Sequence, residues 1–485
     1  MSTTKRIAKN FSWLSIGEIV ARGFGFFTVI YLARVLGAAA FGLFSFAQAF
    51  LAYLVLMVDS GLSIYGTREI ARGTSKTGPF SLNIFAIRLS LACVIFIISS
   101  FAIFIIQMPF EMRLLFIYTF LFVFYRALNA DWVFQGLEKM GYIAISRILF
   151  SALVFIATIS LVRQSQDLVR VPLIQFIAGI SVSFMFLYLL FKRFASAGLE
   201  HIKTDNWWDH FSESIPLGIS YILVQIYYNI DTIMLGFMNT AEVVGLYNAA
   251  YKLFFGGLLF FGLWQSTAFP VVSQRISSDK GKAVDFLRKY LRIAILFGIP
   301  VSFLVTFLAP SIIQIIYGPS YLSCAIALQI LIWCILPIII SGTYGMLILV
   351  PLGKNNLVLY GVLSGAIVNL ILNLILIPPY GFIGASVATL LAEIVVGAVM
   401  FFFAYKEMRL GFLGLMFKPI AGALLSLLVA YISRHLFIIK NTSISFILEA
   451  FIFCSVYVVF ILLFGEGMFL RNYVEEVFRA GGSHT

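Results

Sequence analysis

The sequence predicts an all-α polytopic membrane protein of about 14 transmembrane helices. It expects two pseudo-symmetric six-helix lobes, two further C-terminal helices, and both termini in the cytoplasm. Three observations carry that prediction. Of 485 residues, 61% are hydrophobic and only 11% charged, with a mean hydropathy of +1.02, whereas soluble domains are about half apolar and a quarter charged. The apolar residues fall into repeated runs of membrane-spanning length, roughly 20 residues each. The basic residues crowd into alternate connections between those runs.

Taken in order, the runs are 11–33, 41–63, 81–106, 114–134, 143–162, 171–191, 214–236, 243–270, 289–309, 325–350, 357–377, 381–404, 417–437 and 444–464. The first follows the basic start MSTTKRIAKN and is too long for a signal core of roughly 7–15 residues, so it reads as a retained helix. The longest polar stretches are 192–213, 271–288 and 465–485, which read as connections and a tail. Of the 33 Lys and Arg, six fall in outer segments (Arg34, Arg113, Arg163, Arg170, Arg434, Lys440) and four within spans (Arg22, Arg88, Arg126, Lys252). The remaining 23, Arg147 among them, fall in cytoplasmic segments when the N-terminus is placed inside. That bias sets the orientation and accounts for the net charge of +12 without nucleic acid as a partner.

A weak internal repeat supports the lobes. RVLGAAAFGLFSFAQAF (34–50) aligns without gaps to FMNTAEVVGLYNAAYKL (237–253), matching Ala38/Ala241, Gly42/Gly245, Leu43/Leu246 and Ala47/Ala250. The offset spans six helices, and an even number preserves orientation, as in transporters whose halves are related by an axis along the membrane normal. The expected divisions are residues 1–205, 206–404 and 405–485.

Charged groups inside spans are costly unless they face protein, water or a partner. The acids are Glu18, Asp59, Asp131, Asp231, Glu393 and Glu449. Asp59, Asp131, Arg88 and Glu449 lie near span ends, where snorkelling or capping explains them. Arg22, Lys252, Asp231 and Glu393 lie deeper and read as cavity-facing, with Arg126 intermediate. Glu18 and Arg22 stand four apart, acid first, the favoured order for a helical pair; a packing role for that neutralised couple is the competing reading. A second polar group comprises Asp231 in YYNIDTIML, Asn369 and Asn373 in NLILN, and Thr389 in ASVATLL. Its oxygens suit a hard monovalent cation, and an interhelical hydrogen-bond network explains it equally well.

The four cysteines, Cys93, Cys324, Cys334 and Cys454, sit in apolar segments without metal-ligand or redox spacing and read as buried packing residues. The sequence carries no GxxxxGK[ST] nucleotide loop. Its polar segments are too short for a soluble catalytic domain, and its histidines, in loops and tail, form no paired arrangement. An enzyme is not expected.

The stretches YLARVLGAAAFGLFSFAQAF (31–50), DSGLSIYGTREIAR (59–72), DTIMLGFMNTAEVVGLYNAAYKL (231–253) and NLILNLILIPPYGFIGASVATLLAE (369–393) resemble, in order and spacing, the polysaccharide transporter family. This is the O-antigen and exopolysaccharide flippase branch of the multidrug/oligosaccharidyl-lipid/polysaccharide exporter superfamily. The resemblance covers essentially the whole chain. It implies a V-shaped pair of lobes around a cavity that alternates between the two membrane faces. The implied cargo is a polyprenyl-diphosphate-linked oligosaccharide, carried from the inner to the outer leaflet of the cytoplasmic membrane among membrane lipids. Glycosyltransferases and the polymerase of the same pathway are the implied partners. It also implies that Arg22 and Lys252, on spans 1 and 8, face the cargo's diphosphate, with Glu18 holding the Arg22 guanidinium when cargo is absent and Arg126 alongside.

Some relatives bind sodium through an acid on span 7, two polar residues four apart on span 11 and a threonine on span 12. Asp231, Asn369, Asn373 and Thr389 match that spacing, except that Asn373 stands where the lipid II relatives have an acid. Na+ at these four residues, or H+ cycling on Asp231, is thus the implied coupling ion. A multidrug or cation antiporter of the same superfamily is the nearest alternative. A membrane oligosaccharide polymerase or ligase is a more distant one, disfavoured by the short outer connections.

Overall fold

The computed structural model describes residues 3–73, 76–106, 108–194, 202, 204–436, 441–466 and 469. His201, His484 and the tail bases Arg471 and Arg479 lie outside the described residues. The described chain is helical: α1 (Thr3–Asp59), α2 (Leu62–Arg72), α3 (Thr77–Ile105), α4 (Phe110–Phe120), α5 (Phe122–Leu128), α6 (Asp131–Gly136), α7 (Met140–Leu161) and α8 (Arg170–Arg193) come first. Then follow α9 (Trp207–Met238), α10 (Ala241–Ser278), α11 (Lys280–Ile316), α12 (Ala325–Leu331), α13 (Ile335–Ser341), α14 (Asn355–Glu407), α15 (Leu413–Leu436) and α16 (Thr442–Leu463).

Eleven of the described helical stretches are long and apolar enough to cross a membrane. Two of them are too long for one crossing: at 1.5 Å per residue, a straight helix of 48 or 53 residues would be about 70–80 Å, against about 30 Å of hydrocarbon. Both break at a glycine held outside helical geometry, Gly37 (φ 75°, ψ 169°) and Gly381 (φ 54°, ψ −128°). Positive φ is strained for any residue with a Cβ, so these positions select glycine. Each of these two stretches therefore supplies two spans, and α9 supplies one more, which gives fourteen crossings among the described residues.

Several boundaries depart from the sequence reading. Residues 271–288, expected as a connection, are almost entirely helical. α10 and α11 run on past the apolar runs and meet at Asp279, whose side chain caps α11 by accepting from the amides of Gly281 and Lys282. The fourth span is not continuous but breaks between α5 and α6, where Asn129 is extended and its side chain accepts from the Asp131 amide. The tenth is divided into α12 and α13, followed by a π-helical turn over Gly342–Leu349. Of the cysteines, Cys324 and Cys334 are buried but Cys93 and Cys454 are exposed. On helices whose neighbours Val94, Ile97 and Phe451 are exposed too, that is the surface expected to meet lipid, where an apolar side chain needs no burial.

The chain divides into two compact units, Met1–Asn248 and Ala249–Thr485, the division falling inside α10. In the first unit, α1 packs along α7 in parallel: Asn10 donates to the Glu138 carbonyl (3.1 Å) and Tyr31 to the Val162 carbonyl (2.7 Å). Between those two bonds Gly17 sits against Ala144, so close that a methyl group on Gly17 would strike it. An aromatic core of Tyr65, Phe80, Phe85, Trp132, Phe134 and Phe186 fills one end of this unit. The repeat segments meet in this unit as well. A Cβ on Gly42 would collide with the Ala241 carbonyl oxygen, and a Cβ on Gly245 with the Ala38 carbonyl oxygen. Two Ala-xxx-Gly faces thus lie backbone to backbone in reciprocal contact, the small-residue packing of membrane helices.

In the second unit α11 packs against α15 and α16, and α14 against α12 and α13. Tyr344 donates to the Leu410 carbonyl (2.7 Å) and Tyr457 to the Leu296 carbonyl (2.8 Å), which satisfies both buried phenols. Asn441 caps α16 by accepting from the Ser443 and Ile444 amides.

Candidate functional site

The close α1–α7 approach at Gly17 and Ala144 places residue 18 beside residue 147. Glu18 takes the Arg22 Nε on one carboxylate oxygen, Oε1, and the Arg147 Nη1 on the other, Oε2 (2.7 Å). Arg147 in turn donates through Nε to Asp131 Oδ2 (3.2 Å), at the first turn of α6. The result is a chain of alternating charge, Arg22–Glu18–Arg147–Asp131. Arg126 is exposed at the end of α5, near enough to Asp131 to feel its charge. The side chains are open rather than entombed: Arg22 is 49% exposed and Arg147 43%, with Glu18 at 28%.

The sequence reading missed Arg147, which it counted as cytoplasmic. The residue lies two turns inside α7, and the break between α5 and α6 brings Asp131 to meet it. A usable signal existed, since 147 falls within the apolar run 143–162. Its partners, however, lie 129 and 16 residues away in sequence, beyond any local pairing rule.

Asp59 and Arg88 form a separate pair at 3.2 Å. Arg88, only 2% exposed, also donates to the carbonyls of Arg126 and Asn129. Those acceptors are released by the break between α5 and α6, so this buried guanidinium serves the backbone there. Glu449 is similarly buried and bound to Arg434 (3.0 Å) and Ser445 (2.7 Å), joining α15 to α16.

Asp231 is buried in the first unit, accepting from the Tyr247 hydroxyl (2.6 Å), with Tyr53 within reach of its charge. The neighbouring Thr232 donates to Asn248 (3.3 Å). Asn369, Asn373 and Thr389 belong to the second unit, on α14. Asn373 donates to Asn369 Oδ1 (3.0 Å), and Thr389 donates to the Ala385 carbonyl of its own helix (2.9 Å). All three are buried, as is Glu393 one turn beyond Thr389. Among the described residues no three His, Cys, Asp or Glu side chains cluster as metal ligands. Lys252 also belongs to the second unit; it is half-buried on α10 and has no acidic partner among the described residues.

Two features lie outside the spans. His210, expected in a loop, stands in the first turn of α9, its Nδ1 3.0 Å from the Tyr65 hydroxyl. Burial depresses the imidazole's pKa, opposed by Asp209, Glu213 and Glu69. Beyond α16, Glu466 is buried and gripped by Arg292 through two bonds of 2.7 Å, with Lys418 at 3.4 Å. Burial alone would raise that carboxyl's pKa; Arg292 and Lys418 outweigh it and hold the group below the usual carboxylate range.

A family profile described as polysaccharide biosynthesis protein matches residues 7–276, more than half of the chain. The chain belongs to that family, among the polysaccharide transporters of the multidrug/oligosaccharidyl-lipid/polysaccharide exporter superfamily. A second profile, MatE, matches residues 216–375. A Shigella dysenteriae protein named as an O-antigen transporter is 27% identical over 381 residues, 77% of this chain and 93% of its own length. A Haloferax volcanii protein named as a low-salt glycan biosynthesis flippase, Agl15, is 26% identical over 400 residues, 80% of this chain and 81% of its own. Among solved structures, the lipid II flippase MurJ in an inward closed conformation superposes with a TM-score of 0.72 at 19% identity, covering 94% of this chain and 99% of its own. An inward-facing multidrug resistance transporter of the MATE family gives 0.66 at 13% identity, covering 82% and 98%. Both likenesses establish the fold, a multi-pass all-helical membrane architecture.

Proposed function

We propose that this protein flips a polyprenyl-diphosphate-linked oligosaccharide, an O-antigen or exopolysaccharide repeat unit, from the inner to the outer leaflet of the cytoplasmic membrane. The observation that carries the reading is the Arg22–Glu18–Arg147–Asp131 chain: charged, partly open and set in predominantly apolar spans. A sugar–diphosphate head cannot cross hydrocarbon unaided, since its hydroxyls and charges would lose their water. Half-exposed guanidiniums offer the planar, paired donors that phosphate oxygens accept. Relatives named as an O-antigen transporter and as a glycan flippase, each aligned over more than three quarters of the chain, support the same cargo class.

Within this proposal Arg22, Arg126 and Lys252 are the cations that meet the diphosphate, Glu18 being the counter-charge of Arg22. Transport runs by alternating access and is coupled to an ion gradient. Asp231 is the group through which sodium or a proton acts, and Asn369, Asn373 and Thr389 contribute neutral oxygens. The glycosyltransferases that build the repeat unit and the polymerase that consumes it are the partners this cargo requires. The MatE match favours one second reading, export of an organic cation. Against it, an acid-rich route suits cations, whereas the Arg22–Glu18–Arg147–Asp131 chain together with Arg126 comprises three guanidiniums and two carboxylates.

The deciding experiment places the purified protein in liposomes with a lipid-diphosphate oligosaccharide in one leaflet and follows its arrival in the other. Transfer that needs the protein and falls with Arg22→Ala supports the proposal. No transfer, with or without an ion gradient, together with efflux of an organic cation, would replace it with the second reading.

A further inference from the structure

Glu18 is bound in an unusual way: two guanidiniums from two helices converge on one carboxylate, one to each oxygen. Among the described residues Arg22 donates through Nε alone, so its two terminal nitrogens are left for whatever enters. Arg147 uses Nη1 on Glu18 and Nε on Asp131, and its second terminal nitrogen is likewise uncommitted among those residues. Both arginines are close to half exposed, so an entering anion need not open a packed core to reach them. Without the carboxylate the two like charges would face each other and repel. Glu18 therefore does for the empty site what a bound anion would do for the filled one.

We propose that Arg22 and Arg147 form a two-pronged seat for a prenyl diphosphate, and that the Glu18 carboxylate is the internal anion the diphosphate displaces. This rests on the flippase reading and adds to it a residue, a division of labour and a selectivity. In a lipid-linked oligosaccharide both phosphates are esterified, so each keeps a single negative charge. One guanidinium then meets each phosphate, and both can turn from one shared carboxylate to a pair of oxygens apiece. A monophosphate has one phosphorus centre to seat, so it takes one prong and leaves the other on Glu18. Asp131, holding Arg147 from the other side, keeps that guanidinium in place while Glu18 lets go. The displaced Glu18 carboxylate stays nearby to reclaim both arginines, which favours release once the cargo faces the other leaflet.

The test measures binding of farnesyl diphosphate, farnesyl monophosphate and inorganic pyrophosphate to the purified full-length protein in lipid nanodiscs. Wild type should bind the prenyl diphosphate more tightly than the monophosphate, with pyrophosphate competing as the headgroup alone. Arg147→Gln should weaken diphosphate binding by about tenfold, one charge-assisted contact, and leave the monophosphate little changed. Glu18→Gln should tighten diphosphate binding by a similar factor, a gain that a merely structural residue would not give. That gain should vanish in the Glu18→Gln, Arg147→Gln double variant. If Arg147→Gln does not fold, Arg147→Lys, which keeps the charge and loses the fork, replaces it and should show a smaller loss with the same selectivity. Loss of mono- and diphosphate binding alike, no loss at all, or weaker binding in Glu18→Gln would overturn the seat and leave the flippase reading standing. Absence of prenyl-phosphate binding to wild type would overturn both.

Discussion

Gly42→Ala adds a methyl group where α1 and α10 touch through their backbones. The atom it meets is the Ala241 carbonyl oxygen, with the Gly245 amide nitrogen behind it. No rotamer change can relieve a clash with backbone. The helices must separate until a carbon–oxygen distance of about 3.3 Å or more is restored. Overpacking of this kind costs about 1–3 kcal/mol, and a rigid neighbour puts it in the upper part of that range. Against it stands the helical preference of Ala over Gly, about 1 kcal/mol at an interior position. The balance is a net destabilisation of about 1–2 kcal/mol. Gly262→Ala supplies the control, since no atom lies within 4 Å of its Cβ position; there only the propensity term remains, and the protein should be unchanged or slightly stabilised. Gly245→Ala should behave like Gly42→Ala, its methyl striking the Ala38 carbonyl. The double variant should cost less than the two singles together, because one separation of the helices accommodates both methyls. Thermal unfolding of the purified proteins in one detergent reads all four. A Gly42→Ala protein that melts at or above wild type, or a double variant whose losses simply add, refutes the reciprocal packing.

Three further outcomes are expected. Lys252→Ala should abolish surface glycan while the protein's abundance in the membrane stays near normal, measured by glycan staining beside immunoblotting; normal export removes Lys252 from the route. Asp231→Asn should eliminate any dependence of liposome transfer on a sodium or proton gradient, and unchanged dependence would clear Asp231 of coupling. Because Glu466 has a carboxyl pKa below its unfolded value of about 4.3, its pairing stabilises the fold fully above that pH. The contribution is lost as pH falls through the lower, folded pKa. Arg292→Gln removes the main opposing charge and leaves burial to raise the carboxyl, so the variant should melt below wild type near neutral pH and the gap should close as pH falls below about 4 and the carboxyl is protonated in both. An identical pH profile between variant and wild type would show that the pair contributes nothing.

Much of this protein was legible from local pattern. Apolar runs gave the crossings because hydrocarbon thickness fixes a helix's length regardless of its neighbours. The Glu18–Arg22 pair was visible for the same local reason, being one helical turn apart on a single face. The matches Ala38/Ala241 and Gly42/Gly245 looked weak in so apolar an alphabet, yet they mark the positions where the two segments touch. Arg88 and Glu449, read as span-end charges, carry structural pairs with Asp59 and Arg434. Illegible were the break between α5 and α6, the extension of α10 and α11 beyond the apolar runs, and the exposure of Cys93 and Cys454. The carbonyls freed at that break are taken up by Arg88, 38 and 41 residues away, and the two cysteines face outward from their helices, neither of which spacing along the chain shows; the Asp279 cap on α11 is local but lies outside any apolar run.

The sequence by itself determined the membrane as solvent, the number of crossings and the presence of charges that hydrocarbon would not tolerate unaided. Those follow from transfer energies and helix geometry, which are properties of short segments. Only the tertiary structure decided which charges meet. Arg147 reaches Glu18 because Gly17 lets α7 approach α1, and it reaches Asp131 because the chain breaks just before α6. An ion pair is fixed by the separation of two side chains in space, and that separation depends on helix packing that no spacing along the chain encodes.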